Sequence, residues 1–210
     1  IEANLITDEI IEIIKNSEKF MPHFHIPLQS GSNQILGKMR RKYNTSLYRK
    51  KIEKLIDSIP QVCIGVDVIV GFPGETDELF ETTINFIKEL PIAYLHVFSY
   101  SERENTLAIT FDGVVKKQKR TERSKRLRIL SSKLQRTYNQ KYLGSYQTAL
   151  FEKENKNGFL VGFTDNYIKV KIPFSEKYVQ KKINIKLHSF DHNGIIKSEP
   201  IKNKLYVSNY

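Results

Sequence analysis

The sequence predicts an α/β half followed by a small all-β barrel, and three observations carry that prediction. Apolar strand-like runs alternate with helical patterns over residues 1–109, as they do where strands join a parallel sheet or barrel. A long basic segment comes next. From Gln147 the pattern changes to short alternating strands set apart by Asn157-Gly158, Asp165-Asn166 and His192-Asn193-Gly194 turns. Five short strands of that kind suit a small antiparallel barrel of the type that binds oligonucleotides, or a β-module with a structural role.

Each element has a local reason. Thr7 or Asp8 caps a helix whose Ile10, Ile11 and Ile14, with Phe20, recur near helical spacing. A strand over 23–28 comes next, then a helix over about 33–39. Residues 46–59 form a further helix with Leu47, Ile52, Leu55, Ile56 and Ile59 inward, stopped by Pro60. The β-branched run over 62–71 predicts a strand buried on both faces. Pro73-Gly74 suits a type II turn, whose third position requires positive φ. A helix over 78–89, with Leu79, Phe80, Ile84, Phe86 and Ile87 mostly inward, and a strand over 92–101 complete this half. Three strand units are too few to close a barrel of the usual size.

Residues 110–115 read as a loop. A basic helix then runs from about 115 to 142, with Leu127, Leu130, Leu134 and Tyr138 as its packing stripe and Gly144 as its stop. The barrel strands are expected over 148–152, 158–164, 167–173, 182–189 and 194–200. The domains are accordingly 1–114, a connecting helix over 115–145, the barrel over 146–203, and a tail over 204–210.

Forty per cent hydrophobic and 27% charged residues fit a globular chain of 210 residues. No apolar run approaches the ~18–20 residues of a membrane helix. The N-terminus has neither a basic leader nor an initiator Met and resembles the middle of a longer chain. One cysteine, Cys63, excludes an intrachain disulfide and suits a reducing cytoplasm. Net charge is +11, and residues 116–141 carry most of it, with 11 Lys/Arg against Glu122 alone. Such density marks either a polyanion partner or a solvated helix face.

Among chemical candidates, Gln29, Ser30 and Ser32 end the first strand and could hydrogen-bond a ribose or a carboxylate, with Gly31 allowing close approach. The competing role is a polar cap for the next helix. Asp67 interrupts an apolar run, so it is either partnered inside or exposed on one strand face, since a lone buried carboxylate is costly. Gly71-Phe-Pro-Gly-Glu75 is a glycine-bearing strand-to-helix turn without the Lys-Ser/Thr of a P-loop, which excludes a nucleoside triphosphatase of that type. His23, His25 and His96 lack zinc-ligand spacing, and Cys63 reads as a small core residue. No Ser/His/Asp set or carboxylate pair stands out.

Four segments together resemble a known family. His25-Ile-Pro-Leu-Gln-Ser-Gly-Ser32, Met39-Arg-Arg-Lys-Tyr43, Asp67-Val-Ile-Val-Gly-Phe-Pro-Gly-Glu-Thr76 and His96-Val-Phe-Ser-Tyr-Ser-Glu-Arg103 are similar, in order and spacing, to the radical S-adenosylmethionine methylthiotransferases. Gly158-Phe-Leu-Val-Gly-Phe-Thr-Asp-Asn-Tyr-Ile-Lys-Val170 is similar to their TRAM barrel. The resemblance implies the C-terminal part of a radical-SAM partial (βα) TIM-like barrel followed by a small OB-like TRAM barrel.

Leu95-His-Val-Phe-Ser-Tyr-Ser101 resembles most the MtaB branch, which modifies threonylcarbamoyladenosine beside the tRNA anticodon. The isopentenyladenosine branch comes second. The basic helix and barrel favour RNA over the ribosomal-protein substrate of a third branch. By resemblance, a methylthio group replaces the hydrogen on adenine C2. The family uses S-adenosylmethionine, two 4Fe-4S clusters on cysteine sets, a reductant protein and a sulfur donor. This chain has neither cysteine set, so the resemblance implies a C-terminal half that is inactive alone.

What the resemblance implies for single residues is also specific. Gln29, Ser30, Gly31 and Ser32 would contact S-adenosylmethionine, with Arg41 on its carboxylate. Asp67 and the turn from Gly71 to Glu75 would line its adenosine side, and Phe98 and Tyr100 would lie near the adenine. Lys116, Lys117, Lys119, Arg120, Arg123, Arg126, Lys169 and Lys171 would meet tRNA phosphates. Phe159, Phe163 and Tyr167 could stack on bases.

Overall fold

Strands β1 (His23–Gln29), β2 (Cys63–Val70) and β3 (Tyr94–Ser99) form a three-stranded sheet in the order β1-β2-β3 in a computed structural model. The model describes residues 1–201, leaving aside the side chains of 154–156. The expected tail, and the last two residues of the expected barrel segment, lie outside the described residues. Strands β2 and β3 are parallel, with Asp67 opposite His96 and Ile69 opposite Phe98.

The sheet buries one face. Phe24, Ile26 and Leu28 of β1 and Val66, Val68 and Val70 of β2 share a core with two helices. These are α3 (Thr45–Ser58), through Tyr48, Ile52 and Leu55, and α4 (Asp77–Glu89), through Phe80, Ile84 and Ile87. Each such side chain contributes roughly 1.5–3 kcal/mol on burial, so packing outweighs the caps, worth about 1 kcal/mol apiece. The caps are nevertheless built: Thr7, Asn44 and Thr76 accept from the backbone of Ile10, Leu47 and Leu79. Thr7 opens α1 (Asp8–Lys15), and α2 (Asn33–Lys38) follows β1.

The other face of the sheet carries His25, Pro27, Gln29, Asp67, Ile69, His96 and Phe98, all at least partly exposed. This corrects the expectation of a strand buried on both sides: β2 is buried throughout its first half, but Asp67 and Ile69 face outward in its second.

The basic helix is α5 (Lys117–Gln140). The chain divides into two compact units within it, the first holding 1–20 and 24–135 and the second 21–23 and 136–210. The predicted stripe divides likewise: Leu127, Leu130 and Leu134 join the first core, whereas Tyr138 packs on the second.

The second unit is a closed barrel in the order β4-β5-β6-β8-β7, from β4 (Tyr146–Lys156), β5 (Phe159–Thr164), β6 (Lys169–Pro173), β7 (Lys182–Phe190) and β8 (Ile196–Pro200). Its core includes Phe151, Leu160, Val170, Ile172, Ile185, Leu187 and Ile196. The expected all-antiparallel barrel needs one correction, because β6 and β8 pair parallel, Val170 beside Ile196. The barrel closes where β7 pairs antiparallel with β4. Asn157 and Gly158 both have positive φ, 54° and 82°, as a two-residue hairpin turn of the primed type demands.

Gly162 is fixed by contact rather than by φ. A Cβ there would lie 2.2 Å from the Leu150 carbonyl oxygen and 2.9 Å from Phe151 Cα, both main-chain atoms of the paired strand. Gly162→Ala is expected to lower barrel stability by about 3 kcal/mol, at the upper end of overpacking costs. Thermal unfolding followed by far-UV circular dichroism checks it; an unchanged midpoint would contradict this packing.

Candidate functional site

The exposed sheet face brings together groups that are far apart in sequence. His25 Nε2 and Asp67 Oδ1 share a short hydrogen bond, and the His25 and His96 rings lie 4.7 Å apart at 56°. Asp67 is thus partnered, as one of its two sequence readings required, and its side chain is 19% exposed. Ligand-type atoms of His25, Asp67 and His96 all lie within 4.8 Å of one another. Two imidazoles and a carboxylate so arranged can bind a ligand's polar edge or hold a cation. Sequence spacing missed this cluster because its members come one from each strand. The available signal was the alternation that puts Asp67 and His96 on one face in register.

Of the Gln-Ser-Gly-Ser turn, only Gln29 remains available. It sits at φ 68°, and its Oε1 is buried with no hydrogen-bond partner among the described residues. Ser30 is fully buried, its Oγ 3.2 Å from Thr83 Oγ1, and the Gly31 N–H donates to the same oxygen. The Ser32 N–H donates back to Ser30 Oγ, and Ser32 is buried too. A Cβ on Gly31 would lie 2.8 Å from Thr83 Cα. Ser30 and Gly31 thus tie the turn to α4 through Thr83.

The Arg41 Nη1 donates to Glu2 at 2.7 Å, while its Nε is buried without a partner among the described residues. Glu75 turns away from the sheet face. Its Oε2 accepts from the Gly71 N–H at 2.6 Å and from Arg123 Nη1 at 2.7 Å, with both charged side chains under 5% exposed. Burial pushes the Glu75 carboxyl up from its ordinary range, and the Gly71 N–H and the Arg123 guanidinium draw it back. Gly71 and Glu75 hold the turn in place through their own hydrogen bond.

Beyond the ends of β2 and β3 lies a cavity of about 540 Å³. Ile69, Phe72, Phe98, Tyr100, Leu107 and Phe111 supply its apolar walls, and Lys38, Arg40, Arg41 and Arg103 its cations. No Asp or Glu lines it. Phe98 is half-exposed into this space, and Tyr100 Oη is buried without a partner among the described residues. An aromatic-walled chamber with orphaned polar atoms suits a flat heterocycle with a charged appendage.

The basic residues sort into two classes. Arg120 is 8% exposed; it donates to the carbonyls of Val115 and Tyr100 and pairs with Glu102. That bond holds the Glu102 carboxyl down at about 2. Arg123 is engaged by Glu75 and Asp77. Lys171 lies 2.5 Å from Asp191 and over the Phe159 ring, and it depresses the Asp191 carboxyl to about 2. Arg120, Arg123 and Lys171 are each paired with a carboxylate inside their own unit. Lys119 and Arg126 pair with Asp77 and Glu81 at the surface, where such pairs are worth little and exchange readily. Lys116, Lys117 and Lys169 are exposed.

On the barrel, the Phe163 and Tyr167 rings stack at 4.8 Å and 16°. Phe163 stands opposite Lys169 on one side and Leu150 on the other. Tyr146 and Leu150, both more than half exposed, stand opposite Lys186 and Lys182. This outer face of aromatic, apolar and lysine side chains extends what the sequence reading identified. Strand alternation over 146–150 and 182–186 was the signal.

A model of the radical SAM superfamily matches residues 1–87, and a TRAM domain model matches residues 140–191. The chain is 43% identical over 192 residues to the threonylcarbamoyladenosine tRNA methylthiotransferase MtaB of Bacillus subtilis, covering 89% of this chain and 42% of that protein. It is 33% identical to the tRNA-2-methylthio-N(6)-dimethylallyladenosine synthase of Finegoldia magna, covering 89% and 41%. The chain thus spans less than half the length of these relatives. Among solved structures, the coproporphyrinogen III oxidase of Escherichia coli, a radical SAM enzyme, superposes with a TM-score of 0.54 at 15% identity. It covers 64% of this chain and 31% of its own, a likeness of fold alone.

Proposed function

Since this chain belongs to the radical SAM methylthiotransferase family, we propose that it forms the sheet edge and RNA-binding barrel of an enzyme that methylthiolates C2 of threonylcarbamoyladenosine beside the tRNA anticodon. The observation that carries this reading is the joint presence of an open polar strand face, ending in an aromatic cavity, and a barrel with an aromatic and lysine outer face. One S-adenosylmethionine, cleaved reductively, would supply the radical, and a second would supply the methyl group. The orphaned Gln29 Oε1 fits such a ligand, because it needs a polar partner that the described residues do not provide. Gln29 would hydrogen-bond its ribose or amino-acid end, and the His25–Asp67 pair would orient a polar edge.

The iron–sulfur clusters do not fit here. The chain's one cysteine, Cys63, is buried in β2, so the two 4Fe-4S clusters would be held by residues outside this chain. A reductant protein and a sulfur donor would serve them. Among the described residues no helix is long and apolar enough to cross a membrane, and a tRNA-directed enzyme would work in the cytoplasm.

The test is mass spectrometry of tRNA nucleosides from cells lacking the gene. Loss of 2-methylthio-threonylcarbamoyladenosine is the expected result, whereas loss of the dimethylallyl nucleotide would move the enzyme to the other branch. If neither is lost, a non-catalytic RNA-binding role gains the ground. In the full-length protein, Asp67→Ala and Gln29→Ala are each expected to weaken S-adenosylmethionine binding about tenfold, the scale of one charge-assisted hydrogen bond. Isothermal titration checks this, and unchanged affinity would remove these residues from the site.

A further inference from the structure

The cavity beyond β2 and β3 holds an unbalanced charge. Lys38, Arg40 and Arg103 line it, and none of them is among the described ion pairs. Their neighbours are different: Arg41, Arg120 and Arg123 each have a carboxylate, in Glu2, Glu102 and Glu75. The cavity lining offers no acid of its own. Three unneutralised cations around aromatic walls predict a ligand that is flat at one end and anionic at the other.

Arg40 carries the argument furthest. Its backbone sits at φ 54°, a left-handed conformation that suits glycine or asparagine and is unfavourable for a long side chain. Neither of those residues could put a guanidinium into the cavity. Lys38 approaches from the same stretch, its ammonium lying where a side chain on Gly74 would be.

We propose that this cavity receives the modified adenine, and that Arg40, with Lys38 and Arg103, recognises the carboxylate at the end of its N6 appendage. The inference rests on the tRNA methylthiotransferase reading and deepens it. A threonylcarbamoyl group ends in a carboxylate, whereas a dimethylallyl group is neutral and apolar, so charge rather than shape separates the two substrates. A planar guanidinium fork matches two carboxylate oxygens, whereas a hydrocarbon tail offers it no partner.

The experiment is isothermal titration of this chain, at low salt, with four ligands. They are N6-threonylcarbamoyladenosine, its methyl ester, N6-dimethylallyladenosine and S-adenosylmethionine. The free acid should bind at least about tenfold tighter than the ester or the dimethylallyl nucleoside. Arg40→Asn, which suits the positive φ and preserves the turn, should bring the acid down to the level of the ester without lowering the melting temperature. Equal binding of acid and ester, or an acid preference that survives Arg40→Asn, would overturn the proposal. So would an Arg40→Asn effect confined to S-adenosylmethionine, since the cations would then serve the cofactor's carboxylate. Failure here would leave the family reading standing, because nucleoside analysis of the knockout judges that separately.

Discussion

Arg123→Met is expected to destabilise the first unit by about 3–5 kcal/mol, the scale of breaking one side of a buried ion pair. The methionine keeps the volume and the contact with Phe80, over which the guanidinium now lies 5.1–5.2 Å away together with that of Arg126. What it removes is the counter-charge of Glu75, which is then left in an apolar setting with only the Gly71 N–H. The loss should depend on pH in a defined direction. Burial already raises the Glu75 pKa in the fold, and without Arg123 it rises further. A raised carboxyl pKa means the folded state favours the protonated form. The variant is then most stable below the unfolded carboxylate pKa and loses stability as pH rises toward the folded one. Urea unfolding at pH 5 and pH 8 should show a lower midpoint at pH 8. Adding Glu75→Gln should recover part of the loss, because an amide needs no counter-charge. A midpoint for Arg123→Met within the error of the parent would show that the pair holds nothing together.

Local order was legible in the sequence, and partnership was not. The β-branched run around Val66–Val70 and the Ile52–Leu55 spacing located strand and helix to within two residues, because side-chain period and burial are local properties. Charge density located α5 as basic, yet it could not separate Lys116 from Arg123. The acids that neutralise the helix are Glu75, Asp77, Glu81 and Glu102, which only the fold brings alongside. The Gln-Ser-Gly-Ser turn shows the same limit. Its polarity was visible, but Ser30 and Gly31 are tied to α4, and that direction depends on Thr83 arriving from 53 and 52 residues downstream. The cluster of His25, Asp67 and His96 was invisible to spacing because register, rather than sequence separation, sets which side chains meet.

Phe163→Ala is expected to weaken binding of an anticodon stem–loop about tenfold, since stacking on one base is worth roughly 1–3 kcal/mol. Tyr167 is itself stacked on both Phe163 and His23, so Tyr167→Asn, which suits its φ of 63°, removes the support that holds the Phe163 ring. The lysines divide this face from the interior in a second way. Lys169 is exposed beside Phe163, and Lys186 lies 5.8 Å from the Tyr146 ring. Replacing either with alanine should reduce the slope of log K against log salt by about 0.7, the value for one phosphate of single-stranded RNA. Lys171→Met should leave that slope alone and lower the melting temperature instead, because it strands a carboxylate whose side chain is 2% exposed. The acid response has the matching sign. Asp191 is depressed to about 2 in the fold, so its pairing stabilises the barrel above the unfolded aspartate pKa, and that contribution fades as pH falls from about 4 toward 2. Filter-binding titrations across salt separate these outcomes. Equal slope changes for Lys169, Lys171 and Lys186 would mean that position on the barrel does not decide which lysines meet RNA, and the aromatic face would lose its claim to be the interface.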